Sequence, residues 1–101
     1  MAIQFTPGAF RDIGDIEDYL SDRSPDGLRN VLASLKRTFL NIDRNANYGR
    51  PTQRTGVRIA IEPRYKYWIP YYVKGDTVWI LRVYHSRRVP LDLAAIEIPD
   101  P

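Results

Sequence analysis

His85 is the one histidine of this 101-residue chain, and imidazole is the side chain whose ordinary titration falls nearest neutrality, so it is the natural proton carrier. It lies in the run Arg82-Val83-Tyr84-His85-Ser86-Arg87-Arg88, with guanidinium groups before and after it. Such a set could move a proton at His85 while Arg82, Arg87 and Arg88 stabilise a neighbouring anion. The same residues also read as a strand-end histidine bonded to its neighbour and as a solvated strand terminus, and spacing alone does not separate the two. Arg58 points to the opposite face from Val57 and Ile59, where Glu62 or a helix carboxylate could pair with it. With no cysteine and a single histidine, zinc has no ligand set. The chain carries no phosphate-binding loop, dinucleotide fingerprint or Ser-His-Asp arrangement, so neither metal nor cofactor is expected.

Charge is unevenly placed. Residues 44–88 carry ten Lys/Arg against two Asp/Glu, whereas residues 1–43 carry five against seven and residues 89–101 carry none against three. A basic sector of this kind is a footprint for a polyanion or for an acidic protein partner, and equally the composition of a solvated strand face. Hydrophobic residues at 44% and charged residues at 27% are ordinary for a globular domain. One core and one domain, residues 1–101, are expected. The absence of cysteine suits a reducing cytoplasm, and neither a signal peptide nor an apolar run of membrane-spanning length is present, so a cytoplasmic protein without membrane attachment is expected.

The elements that must position these residues follow from capping and periodicity. Residues 1–5 alternate as a short strand, with Ile3 and Phe5 on one face. Thr6-Pro7 then supplies an N-cap and a first-turn proline, and Phe10, Ile13, Ile16, Glu17 and Leu20 mark the stripe of a first helix. Ser24-Pro25-Asp26 repeats the signal, and Leu28, Val31, Leu32, Leu35, Phe39 and Ile42 form the apolar face of a second helix, antiparallel to the first. Residues 43–56 have loop composition with three arginines. From Val57 the period becomes two: a strand 57–62, an aromatic strand 65–73 placed at an edge or bulged at Pro70, a tight connection at Lys74-Gly75-Asp76, and a strand 77–85 covered on both faces. Residues 89–101 read as a tail, either a short helix or an extended arm. The order β-α-α-β-β-β predicts an α+β domain with a helical hairpin on one face of an antiparallel sheet.

That order resembles the RelE/ParE toxin superfamily from Phe5 to Arg88, together with Gly56-Val57-Arg58-Ile59, Tyr67-Trp68-Ile69-Pro70-Tyr71-Tyr72-Val73 and the run Thr77 to Arg88. Its most specific piece is Leu81-Arg82-Val83-Tyr84-His85-Ser86-Arg87-Arg88. The resemblance implies a toxin of a type II toxin–antitoxin system, held by a cognate antitoxin whose segment wraps around it. Members divide between ParE-type toxins, which poison DNA gyrase, and RelE-type toxins, which cut messenger RNA on the ribosome.

In the second activity a base takes the proton of a ribose 2′-OH while cations stabilise the phosphate. His85, Arg82, Arg87 and Arg58 would form that set, with Lys66 and Glu62 contributing and Tyr65, Tyr67, Tyr71 or Tyr84 stacking on bases. Beyond Arg88, however, Val89-Pro90-Leu91-Asp92-Leu93 has none of the Tyr or basic residues that RelE-type surfaces add. A ParE-type gyrase inhibitor is therefore expected, with the ribosome-dependent endoribonuclease as the alternative and an inactive binding protein as a third reading. On the ParE reading Arg82, His85, Arg87 and Arg88 contact the target, and Trp68, Tyr71 and Trp79 contact the antitoxin.

Overall fold

Thr6 and Ser24 start the two helices as their contexts require. In the computed structural model, which describes residues 2–87 and 92–99, Thr6 Oγ1 accepts the Ala9 N–H at 3.1 Å and Ser24 Oγ accepts the Gly27 N–H at 3.0 Å. Each cap satisfies an orphan amide ahead of a proline that has none to satisfy. The helices α1 (Pro7–Ser21) and α2 (Pro25–Arg44) follow strand β1 (Ala2–Phe5) and form the expected hairpin. Val31, Leu35 and Ile42 of α2 and Ala9 and Ile16 of α1 are buried against the sheet. Phe10, assigned by spacing to the α1 stripe, is instead 63% exposed and only grazes the ring of Phe5. No helix among the described residues is long and apolar enough to cross a membrane.

The remaining strands are β2 (Arg50–Pro51), β3 (Val57–Glu62), β4 (Tyr67–Lys74), β5 (Thr77–Ile80) and β6 (Tyr84–His85), ordered β1-β5-β4-β3-β2 with β6 also on β4. The sheet is mixed rather than wholly antiparallel, because β1 pairs with β5 in parallel while the other pairs are antiparallel. Residues 43–56 are more ordered than their composition suggests: α2 runs to Arg44, and Arg50 and Pro51 pair with Ile59 and Arg58.

The strand expected over 77–85 breaks in two. Tyr71 faces Ile80 and Trp68 faces Tyr84, so two β4 residues lie opposite three residues, 81–83, on the partner side. This is a one-residue bulge. The Pro70 carbonyl accepts the Leu81 N–H at 2.9 Å, and in an antiparallel ladder both polar groups of a residue face the same neighbour. The donor that Pro70 lacks therefore faces the bulge, which is how a proline is tolerated in an interior strand.

One face of the sheet, with Ala60, Ile69, Tyr71, Val78 and Ile80, packs on the helices. The other carries Val57, Tyr72, Trp79 and Leu81, covered by residues 92–99, in which Leu93–Ala95 form a single 3-10 turn and Ile96 is buried. Strand β5 is thus covered on both faces, as its continuous apolarity requires.

Candidate functional site

The bulge sets the position of the first candidate, Arg82. Its Nε and NH2 donate to the two carboxylate oxygens of Asp12 on α1, at 2.6 and 3.0 Å, and the Val83 N–H donates to the same carboxylate at 2.9 Å. Thr6 Oγ1 donates to the Leu81 carbonyl beside them at 2.9 Å. The helix therefore satisfies the polar groups that the bulge removes from the ladder. The Asp12 hydrogen bond raises the Arg82 pKa above its ordinary value, so this cation is permanent and its fork is occupied.

Arg58 is likewise engaged. It donates to the Gly49 carbonyl at 2.6 Å and does not pair with Glu62. The Glu62 side chain is wholly buried on the helix side of β3. It accepts the Ser34 hydroxyl at 2.8 Å and the backbone N–H groups of Arg64 and Tyr65 at 2.6 and 2.7 Å, tying the β3–β4 turn to α2.

His85 pairs with Tyr67 across the β4–β6 ladder, their rings edge to face with centroids 5.3 Å apart, and its Nδ1 accepts the Arg87 N–H at 3.2 Å. Arg58 faces Tyr71 from the opposite side of β4, four residues along, which is roughly 13 Å of strand. His85 and Arg58 therefore do not share a site. What does gather near His85 is a basic rim. The Ser86 N–H donates to the Lys66 carbonyl at 3.1 Å, so Lys66 of the β3–β4 turn borders His85 and Arg87, while Arg64 of the same turn holds its guanidinium 5.5 Å from the centre of the Tyr65 ring. Lys66 takes a left-handed φ of 65°, an uncommon conformation for a residue with a side chain. Arg88 lies outside the described residues. Arg64 was not singled out by its sequence context; the only signal was its place in a turn joining two strands.

Of the three aromatic candidates, Tyr71 is withdrawn from any surface. It is fully buried, donates to the Ala46 carbonyl at 2.7 Å and accepts the Gly49 N–H at 2.8 Å, so its phenol anchors the loop before β2 instead of contacting a partner. Gly49 is required there: a Cβ would lie 2.6 Å from Tyr71 Cε1 and 2.8 Å from the Ile59 backbone. Gly49→Ala should cost about 2 kcal/mol in urea denaturation, and an unchanged midpoint would contradict this packing.

Burial raises the Tyr71 pKa from the ordinary 10.0, against the lowering effects of the Gly49 N–H and the Arg58 charge. The folded phenol stays protonated where the unfolded one ionises. Its contribution is complete below pH 10 and is lost as pH climbs through the raised value. Tyr71→Phe should be less stable at neutral pH by about 1–3 kcal/mol yet lose less stability on alkaline titration. Parallel alkaline curves for the two proteins would refute the burial argument.

Trp79 is packed beneath residues 92–99, whereas Trp68 is 37% exposed. With Arg50, Pro51, Thr52, Ile59 and Ile61, Trp68 lines a groove of about 200 Å³ on the sheet face away from the helices.

A family model described as the ParE toxin of the type II toxin–antitoxin system, parDE, matches residues 3–90. Among solved structures, a chain described as "Chromosomal ParDE TA system from P. aeruginosa" superposes with a TM-score of 0.73 at 27% sequence identity, over 84% of this chain and 95% of that one. No curated protein matches significantly.

Proposed function

Because this chain belongs to the ParE toxin family of type II toxin–antitoxin systems, we propose that it inhibits DNA gyrase by binding and is neutralised by a cognate antitoxin. The observation that carries the binding reading is the engagement of Arg82, Arg58 and Glu62 in holding the fold. A phosphate-cleaving centre uses converging cations and a carboxylate free to act, and these three groups already have partners on α1, α2 and the loop before β2. Lys66 and Arg87 are left outward beside His85, with Arg64 exposed on the same turn as Lys66, a rim suited to contacting an acidic protein surface or the DNA that gyrase holds.

Inducing the protein without antitoxin tests this. Gyrase-linked DNA breaks with intact transcripts are expected; cleaved transcripts with intact chromosomal DNA would transfer the protein to the ribosome-dependent nuclease class.

The antitoxin's apolar anchor falls on the Trp68 groove, where an exposed indole lies beside Ile59, Ile61 and Pro51. Trp68→Ala should weaken antitoxin binding by about 2 kcal/mol, close to thirtyfold, with folding retained. An unchanged dissociation constant would place the anchor elsewhere.

A further inference from the structure

Residues 92–99 cover one half of the sheet's outer face, while the other half, at Ile59, Ile61 and Trp68, is open. The two halves are continuous, since Trp68 and Tyr72 alternate on the same face of β4. The covering strap is held lightly. Among the described residues it joins no strand of the sheet, and its backbone bonds to the body there are those from Arg54 NH1 to the carbonyls of Leu93 and Ile96, the latter at 2.6 Å. Leu93, Ile96 and Ile98 pack on Val57, Tyr72, Trp79 and Leu81, while Asp92 and Glu97 face outward from a strap that carries no cation. The neighbouring body is strongly basic over residues 44–87. A cleft of about 610 Å³ separates the strap from the start of α1, between Ile98 and Glu97 on one side and Gly8 and Arg11 on the other.

We propose that the strap is a displaceable occupant of a docking surface spanning both halves of this face, and that the surface takes an extended segment of alternating apolar and acidic residues from a partner chain. The strap shows the chemistry such a segment needs. Its apolar side chains fill the face, its carbonyls take the Arg54 guanidinium, and its carboxylates stay exposed on a segment of opposite charge to the basic body. Partner binding and strap docking then exclude each other, so the docked strap weakens partner affinity in proportion to the time it occupies the face. This rests on the reading of the chain as a toxin held by an antitoxin, whose segment is the partner.

The test uses the full chain and a labelled synthetic peptide with the sequence of residues 92–99. Leu93→Asp and Ile96→Asp each remove an apolar side chain of the strap and leave the face itself, Arg54 included, unchanged. Both variants should bind the peptide at least about tenfold more tightly than the unmodified chain, while the amides of β4 keep their protection against hydrogen exchange. In the unmodified chain the Ala95 and Ile96 amides should exchange on the order of a hundredfold faster than those of β4. Equal peptide affinity in all three proteins, no peptide binding, exchange of Ala95 and Ile96 as slow as in β4, or loss of β4 protection in both variants would each overturn the proposal. Neither assay contains antitoxin or gyrase, so failure here leaves the toxin reading standing, and failure of the gyrase reading leaves these results unchanged.

Discussion

Glu62→Ala should lower stability by about 3–5 kcal/mol, the largest loss expected from any single change in the sheet. The carboxylate has no exposed surface and accepts three bonds, from the Ser34 hydroxyl and from the N–H groups of Arg64 and Tyr65. Deleting it leaves those donors unpaired and opens a cavity between β3 and α2. Glu62→Gln keeps the volume but turns one acceptor into a donor facing other donors, so it should recover only part of the loss. Ser34→Ala removes one bond of the three and should cost about 1 kcal/mol. Chemical denaturation of the three variants orders them directly. A loss below about 1 kcal/mol for Glu62→Ala would show that water replaces the carboxylate and that the turn does not depend on it.

The second large effect is at Asp12. Asp12→Ala should cost about 2–3 kcal/mol, because it frees the Arg82 guanidinium and the Val83 N–H together. The Arg82 side chain is 39% exposed and can turn to water, so its share is screened and the backbone donor supplies much of the cost. Arg82→Ala alone should therefore be milder, and the double variant should resemble Asp12→Ala instead of the sum. Hydrogen exchange at Val83 localises the damage: its amide should lose protection in Asp12→Ala and keep it in Arg82→Ala. Additive losses with unaltered Val83 exchange would separate α1 from the bulge.

The helices and most strand positions were legible because their signals are local. Thr6-Pro7 and Ser24-Pro25 mark helix starts through caps and prolines within a few residues, and period-two patterning marks β3 and the turn at Gly75. Features set by distant partners were not legible. The parallel pairing of β1 with β5 depends on residues more than seventy positions apart. The interruption at Leu81 to Val83 is invisible in a run of apolar residues, since Asp12 and Thr6 on another element satisfy it. Strand β3 shows the limit of hydropathy most clearly. Ile59 and Ile61 would be the inner face by apolarity alone, yet Ala60 and Glu62 face the helices, because small volume and a full set of hydrogen bonds outweigh the charge.

At the candidate site, sequence grouped Arg82, Arg87, His85 and Arg58 by type. The fold instead commits Arg82 and Arg58 to α1 and the loop before β2, and places Lys66 beside His85 and Arg87. Tyr71 is expected at the antitoxin contact, yet it anchors the loop before β2, because strand composition does not say which tyrosine does so.

Purified gyrase with supercoiled DNA, incubated with this protein and with His85→Ala, gives the most direct measurement. If the basic rim works by contact, the unmodified chain should accumulate linear DNA covalently held by gyrase, His85→Ala should do the same but need more protein, and neither should cut messenger RNA on isolated ribosomes. DNA left supercoiled by both proteins, with ribosome-bound message cut by the unmodified chain and spared by His85→Ala, would contradict it.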